Sequence, residues 1–160
     1  MSKKNKISFS NPPNLNSEEE LKIFKQLSPD IVVVVAYGQI IPKSFFDIVK
    51  LGFINIHASL LPKWRGAAPI QRAIMNGDKK IGVSIMKIKE KLDSGPVLVS
   101  KELELDQNVT HGEMEKKLSL MGADLLIESL IIIETGASKF IDQMHSEATY
   151  AKKIDKAEAK

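Results

Sequence analysis

An amide and an imidazole stand two positions apart in the run FINIH at residues 53–57, just before a segment rich in Pro, Gly and basic residues. Successive side chains of a strand point to opposite faces, so Asn55 and His57 share one face and the intervening isoleucines point into the core. Both polar side chains can donate hydrogen bonds, and two converging donors suit the oxyanion that develops in acyl transfer. The same spacing also fits a turn-capping Asn beside a surface His, so the pattern alone leaves both interpretations open.

A carboxylate would complete such a site. Asp93 lies in the run KLDSGP at residues 91–96, a turn-like loop between two predicted strands. In that position it could orient an imidazole or take a proton from an attacking amine. The Ser-Gly-Pro sequence that follows equally favours an Asx turn that only closes the loop. Spacing alone does not join Asp93 to His57.

The elements around these residues predict an α/β fold. Two capping boxes, SEEE at residues 17–20 and THGE at residues 110–113, mark helix starts. The β-branched run at 31–35 predicts a strand buried on both faces. In chain order we predict a helix at 17–27, strands at 31–35 and 53–57 separated by a helix at 43–50, a helix at 69–75, strands at 81–88 and 97–105, and a helix at 113–134. This order indicates a mainly parallel sheet, in which ligands bind beyond the carboxyl ends of the strands.

Composition sets the broad class. The chain has 160 residues, 43% of them hydrophobic and 27% charged, which fits one globular domain. It has no cysteine, which excludes disulfides and thiolate metal sites. No apolar run is long enough to span a bilayer and no secretory signal is evident, so we expect a cytoplasmic protein with no membrane partner. The net charge of +3 is mild, and the basic run MSKKNK at residues 1–6 is expected to be a solvated terminus.

Several motifs resemble those of the methionyl-tRNA formyltransferase family. They are NIHASLLP at 55–62, RGAAPIQR at 65–72, AYG at 36–38, LDSGP at 92–96 and ATYAKKI at 148–154. The first is similar to a run shared by all folate-dependent formyltransferases, and the second is narrower and favours the tRNA enzymes. The likeness covers nearly the whole chain, from about residue 7 to residue 160.

The resemblance implies a Rossmann-like formyltransferase fold, incomplete at the N-terminus, and a formyl transfer without a metal. The implied donor is 10-formyltetrahydrofolate, and the implied acceptor is the α-amino group of methionine on initiator tRNA. By position, Asn55, His57 and Asp93 match the family's catalytic residues. Asn55 and protonated His57 would then hold the oxyanion, and Asp93 would support the imidazolium and assist proton removal from the amine.

The resemblance also implies a set of folate-binding residues. Four of them match the family's folate-binding loop: Ser59, Leu60, Leu61 and Pro62. Seven more are expected to wall the pterin pocket: Tyr37, Gly38, Gln39, Ile40, Ile41, Ile88 and Leu92. For Leu60, Leu61 and Pro62 the alternative is a plain loop packed on the core.

The chain departs from the family pattern in three ways. Lys91 stands where the family usually has Gly, and if that Gly has a positive φ the replacement costs on the order of 1 kcal/mol. By the resemblance, residue 1 lies close to the family's third strand, so we expect the family's N-terminal portion to be absent. That would leave the strand at 31–35 with an unpaired apolar edge that residues 7–9 are candidates to fill. Third, the chain is expected to stop where the family's C-terminal domain would start. Residues 1–140 are therefore expected to form a partial catalytic domain, and residues 141–160 a linker toward a missing C-terminal domain, with weakened tRNA binding.

Other functions remain open at this stage. One is formylation of a sugar-nucleotide amine, and another is hydrolysis of formyltetrahydrofolate; the matches at residues 71–72 and 150–151 argue against both. A third is a non-catalytic remnant or an oligomerising fragment. A nucleotide-binding enzyme is disfavoured because the chain has neither a Gly-x-Gly-x-x-Gly run nor a P-loop.

Overall fold

A computed structural model describes residues 7–106 and 108–159 of the chain. Its helices and strands are α1 Glu18–Leu27, β1 Val32–Val35, α2 Lys43–Phe46, β2 Phe53–His57, β3 Arg65–Gly66, α3 Pro69–Met75, β4 Lys80–Lys87, β5 Val97–Glu104, α4 His111–Glu134 and β6 Tyr150–Ala151. Short 3-10 turns follow α4 at His145–Glu147 and Lys156–Ala159. The basic run at residues 1–6 lies outside the described residues.

The main sheet has the strand order β1-β2-β4-β5. β1 and β2 are parallel, with Val35 opposite Ile56, whereas β2 and β4, and β4 and β5, are antiparallel. The expected α/β class is confirmed, and parallel pairing in this sheet holds for β1 and β2. Between β4 and β5 the connection is the loop 88–96, and a parallel crossover needs a dozen or more residues, so this pair must be antiparallel.

The two faces of the sheet have separate apolar layers. One face packs against α3 and α4 through Ile54, Val83 and Ile85, and the other packs against α1 and α2 through Phe53 and its aromatic neighbours. Alternation along β2 explains this division, because neighbouring residues of a strand face opposite ways. At Gly122 a Cβ atom would lie 3.0 Å from Ile56 Cγ2, so the glycine lets α4 approach the sheet closely.

Capping residues fix the ends of the two longer helices as the sequence predicts. Ser17 Oγ accepts a hydrogen bond from the backbone N–H of Glu20 at the start of α1. At α4 the Thr110 and Glu113 side chains and backbones form a complete capping box. The Ser17 cap forms only half of the capping box that the sequence predicts at α1, but both caps satisfy N–H groups that have no partner within the helix.

The structure differs from the sequence-based expectations at two elements. α2 ends at Phe46 rather than near residue 50, because the chain continues in tighter turns, with Ile48 N–H donating to Phe45 O and Gly52 N–H to Val49 O. β1 packs on both apolar layers, Val33 on one and Val32 and Val34 on the other, but it is an edge strand whose valines are only half-buried, and Val35 is 57% exposed. Residues 7–9 form no strand beside it.

The segment after α4 returns to the sheet. Ile141 forms an isolated antiparallel bridge with Val97, and β6 pairs in parallel with β3 in a separate two-stranded sheet. The boundary that we predict between residues 140 and 141 stays a prediction, although residues 141–151 make these direct contacts with the sheet and its loops. No helix within the described ranges is both long and apolar enough to cross a bilayer.

Candidate active site

The predicted amide and imidazole lie on one face at the end of β2. Asn55 is half-buried and His57 is 6% exposed. Asn55 lies opposite Val34 of β1 and Met86 of β4, and His57 lies opposite Ser84 of β4. Because the neighbouring Ile54 belongs to the core on the opposite face, the alternation expected from the sequence is confirmed.

Backbone contacts fix the orientation of the His57 ring. Its Nε2 atom lies 2.8 Å from the backbone oxygen of Trp64. A carbonyl oxygen only accepts hydrogen bonds, so Nε2 carries the hydrogen and donates it. The other ring nitrogen, Nδ1, faces Asp93, with 3.8 Å between Nδ1 and Oδ2. That distance exceeds a hydrogen bond, but it lies within the range in which opposite charges attract strongly.

Asp93 is held in place by hydrogen bonds to its side chain and to its backbone. Oδ2 accepts a hydrogen bond from the Gly66 backbone N–H at 2.8 Å, and the Asp93 backbone oxygen accepts one from Gln143 Nε2 at 2.9 Å. The loop 88–96 thus folds back from β4 until its carboxylate faces the imidazole. The structure brings together His57 and Asp93, which spacing alone does not connect, on the face that also carries Asn55.

Three non-glycine residues around this face have left-handed backbone conformations. They are Ala36 with φ 48°, Trp64 with φ 60° and Asp93 with φ 44°. A bulky residue such as Trp64 rarely adopts this conformation, and the cost is on the order of 1–3 kcal/mol at each such site. Lys91 is not among the residues with a positive φ, so the strain that we considered for it does not arise.

The loop that follows β1 lies at the same edge of the sheet as His57, because β1 and β2 are parallel. It carries the candidate pterin-facing residues Tyr37, Gly38, Gln39, Ile40 and Ile41. Ile40 is 91% exposed and Tyr37 is also exposed, whereas Ile41 packs on the apolar layer with α1 and α2. Gln39 donates from Nε2 to the backbone oxygen of Pro13, which ties this loop to the segment before α1.

The candidate folate-binding loop at 59–62 crosses β4. Ser59 is buried, and its hydroxyl donates to the Lys63 backbone oxygen at 2.6 Å. The backbone oxygen of Ser59 and the N–H of Leu61 both contact the Ser84 hydroxyl of β4. Internal contacts therefore occupy the Ser59 side chain, while Leu60, Leu61 and Pro62 are half-buried. The folate role of these four residues stays a prediction.

The last two candidates, Ile88 and Leu92, belong to the loop that carries Asp93. Ile88 donates its N–H to the backbone oxygen of Phe53, so it lies beside the start of β2, away from His57. Its side chain packs on the apolar layer with α1 and α2. Leu92 is exposed, and its Cδ2 atom lies 3.7 Å from the place that a Cβ atom on Gly66 would take. Of the two, Leu92 is the one beside the candidate site.

Four residues of the site carry no role in the sequence-based predictions. Trp64 and Gly66 act through backbone groups, and Arg65 and Gln143 form a buried contact behind the Asp93 loop. The run RGAAPIQR draws attention to Arg65 and Gly66, although it does not say what they contact. Nothing in the local sequence around Gln143 signals its partners.

Comparison with known proteins matches the chain to one family. The profile of the family described as "Formyl transferase" matches residues 1–130. The methionyl-tRNA formyltransferase of Brucella canis is 48% identical over 149 residues, which are 93% of this chain and 49% of that protein. The enzyme of the same name from Kosmotoga olearia is 47% identical over 145 residues, 91% of this chain and 47% of that protein. The chain thus spans about half the length of the curated relatives that it matches.

Solved structures share the fold at lower identity. The formyltransferase PseJ from Anoxybacillus kamchatkensis, in complex with UDP-4,6-dideoxy-4-formamido-L-AltNAc and tetrahydrofolate, is 24% identical with a TM-score of 0.73, over 89% of this chain and 71% of that chain. HypX from Aquifex aeolicus, in complex with tetrahydrofolic acid, is 18% identical with a TM-score of 0.73, over 84% of this chain and 24% of that chain. This likeness confirms the expected Rossmann-like formyltransferase fold.

Proposed function

Because the chain belongs to the formyl transferase family, we propose that it moves a formyl group from 10-formyltetrahydrofolate to the amino group of methionyl-initiator-tRNA. One observation carries the chemistry: His57 Nδ1 faces the Asp93 carboxylate at 3.8 Å on the face that also bears Asn55. The choice of acceptor rests on the identity of 48% to a methionyl-tRNA formyltransferase and on the run RGAAPIQR.

The three side chains divide the work of an acyl transfer. When the amine nitrogen attacks the formyl carbon, a C–N bond forms and the formyl oxygen becomes an oxyanion, to which the Asn55 amide donates. The resemblance implies that His57 is protonated from the start and that Asp93 assists proton removal; here we propose instead that His57 itself takes the proton from the attacking nitrogen. It does so at Nδ1, because Nε2 already donates to Trp64 O. The carboxylate of Asp93 stabilises the imidazolium that results. The bond from the formyl carbon to the folate nitrogen then breaks, and His57 returns the proton to that nitrogen.

The imidazolium can also donate Nδ1–H to the oxyanion before the intermediate collapses. This is the only donor position left on the ring, since Trp64 O occupies the other nitrogen. The gap of 3.8 Å between Nδ1 and Asp93 Oδ2 leaves Nδ1 without a hydrogen bond to that carboxylate, so a substrate atom can approach it.

A sugar-nucleotide amine is the second candidate acceptor. The observation that favours it is the fold shared with PseJ, whose structure holds a formamido sugar nucleotide. Both acceptors present a primary amine to the same formyl donor, so the chemistry at Asn55, His57 and Asp93 is identical and only the acceptor-binding surface differs.

The first experiment measures folate binding by calorimetry with 5-formyltetrahydrofolate, on the chain and on Asn55→Ala. We expect binding that weakens about tenfold in the variant, as for a lost hydrogen bond on the order of 1.4 kcal/mol. A folded, monodisperse protein that binds no folate would overturn the proposal and favour a non-catalytic role.

The second experiment is single-turnover formyl transfer at high protein concentration. Methionyl-initiator-tRNA, an amino-sugar nucleotide and water alone are compared as acceptors, with His57→Asn as the inactive control. Formyl-methionyl-tRNA as the main product supports the proposal. Formylated sugar would assign the second candidate, and release of formate without acceptor would assign hydrolysis.

A further inference from the structure

A side chain from beyond α4 holds the Asp93 loop from behind. Gln143 is 8% exposed, and its Nε2 atom donates to the backbone oxygens of Asp93 at 2.9 Å and of Gly95 at 2.7 Å. These contacts use both amide hydrogens of one side chain, and they fix two carbonyls of the turn that aims the carboxylate. Among the described residues, the hydrogen bonds of the Gln143 side chain go to Arg65 and to these two backbone oxygens, and none goes to the side chain of Asn55, His57 or Asp93.

The other end of the same amide is fixed by a buried guanidinium. Gln143 Oε1 accepts from Arg65 Nε at 3.0 Å and from Arg65 Nη2 at 2.7 Å, and Nη2 also lies 3.0 Å from His145 Nδ1. Arg65 is 3% exposed and directly precedes Gly66, whose N–H holds the Asp93 carboxylate. The loop is therefore clamped at its backbone by Gln143 and at its side chain by the residue that follows Arg65.

We propose that Gln143, oriented by Arg65, is a positioning residue that sets the Asp93 carboxylate against Nδ1 of His57. This inference rests on the proposed function for its catalytic meaning, but the geometry that it asserts is testable without any activity. It also gives a role to Gln143, which lies beyond the range of the family match at 1–130.

An amide is the side chain that fits this place. Its oxygen faces donors on Arg65, and its nitrogen faces two acceptors on the loop. A glutamate has almost the same shape, and it would pair with Arg65 as an ion pair while leaving the two loop carbonyls opposite a carboxylate. Gln143→Glu therefore removes the hydrogen bonds to the loop and keeps the contact with Arg65. Gln143→Met removes both contacts and keeps a similar side-chain volume.

The direct test is amide hydrogen exchange at Gly66 in the whole chain. The Gly66 N–H donates to Asp93 Oδ2, whereas the N–H groups of Arg65 and Ala67 donate to backbone oxygens of Thr149 and Ala151. In Gln143→Glu we expect exchange at Gly66 to rise about tenfold or more, with Arg65 and Ala67 unchanged. Unchanged protection at Gly66 in both variants would overturn the proposal, as would equal loss at all three amides, because equal loss indicates a general opening of β3 and β6.

The kinetic test compares the effect of the substitution on kcat with its effect on folate binding. In Gln143→Glu we expect kcat for formyl transfer to fall at least tenfold while binding of 5-formyltetrahydrofolate changes less than about twofold. Gln26→Glu, the same change on an exposed site of α1, is the matched control and should change neither quantity. A variant in which the Gly66 amide exchanges faster but kcat equals that of the parent would overturn the positioning role. A parent chain that binds folate and transfers nothing would count against the proposed function, and the exchange experiment would still decide the geometry.

Discussion

Asp93 and His57 face each other across 3.8 Å, although one lies in the loop 88–96 and the other at the end of β2, and neither donates a hydrogen bond to the other. A third group sets this distance: the Gly66 N–H binds Asp93 Oδ2 at 2.8 Å, while the carbonyl two residues earlier binds the imidazole. The carboxylate and the ring are thus both anchored to the segment 64–66, and their separation depends on the backbone of that short segment.

Replacing Asp93 by Asn tests the charge of this pair. The Asn oxygen can still accept from Gly66 N–H, so the loop should keep its place, but the imidazolium loses its stabilising charge. We expect formyl transfer to fall by roughly 10²–10⁴-fold, the usual range for general acid–base groups, with folate binding retained. Single-turnover rates and calorimetry measure the two quantities. Transfer within about twofold of the parent would show that the Asp93 charge is not needed.

Replacing Asn55 by Ala tests the oxyanion donor. The amide is half-buried on the His57 face, and its removal deletes a donor without adding bulk. Loss of one such donor typically costs about 10²–10³ in kcat. The matched control is Asn11→Ala, in the exposed segment before α1, which should leave the rate unchanged. Equal rates for the two variants would remove Asn55 from the mechanism.

Gly95→Ala tests how tightly the Asp93 loop is closed. A Cβ atom at Gly95 would overlap the backbone oxygen of Lys87, so β4 or the loop must shift. We expect a loss of about 1–3 kcal/mol in the free energy of unfolding, measured by urea denaturation. Gly112→Ala in α4 is the control, since among the described residues no atom outside the adjoining helix backbone lies within 4 Å of its added Cβ. Gly112 is the second residue of α4 and has no positive φ, so alanine fits its backbone and the control should be at least as stable as the parent.

Arg72→Gln tests the ion pair at the end of the described chain. Hydrogen bonds from Arg72 and from the Asp155 backbone lower the pKa of Glu158 to about 2 from an ordinary value of 4.5. A carboxyl whose pKa is lower in the folded than in the unfolded state stabilises the fold at pH values above its unfolded-state pKa. This contribution is therefore complete above about pH 4.5 and disappears as the pH falls toward 2. Carbon-13 NMR of the carboxyl should give a midpoint near 2 in the parent and a higher one in the variant.

A parent midpoint near 4.5 would contradict the pairing of Glu158 with Arg72. The stability effect should be small, because both side chains are partly exposed and solvent screens the pair.

Local rules predict the parts of this structure that depend on neighbouring residues. The shared face of Asn55 and His57 follows from strand alternation. The start of α1 follows from its N-cap serine, and the start of α4 follows from its capping box. The edge position of β1 does not follow from its sequence, because a run of four valines is typical of a strand inside a sheet and of one at its edge alike.

The contacts that complete the site are non-local and are absent from any sequence window. Gln143 meets Asp93 across 50 positions, in a segment without hydrophobic periodicity. Trp64 and Gly66 contribute only backbone atoms, which every residue type except proline offers alike. For these reasons the sequence predicts the candidate catalytic side chains better than it predicts the contacts that position them.

The pairing of β3 with β6 has a consequence during translation. The strands of the main sheet and α4 all precede residue 135, whereas the partner of Arg65 in this pairing is Tyr150. A nascent chain elongates at about 5–20 residues per second, so the sheet and α4 leave the ribosome roughly one to a few seconds before β6 does. During that interval the Gly66 N–H is present to bind the Asp93 carboxylate, but Gln143, which binds the backbone of the Asp93 loop, is not. The arrangement of His57 and Asp93 therefore matures only when residues 143–151 emerge, after the rest of the sheet has had time to fold.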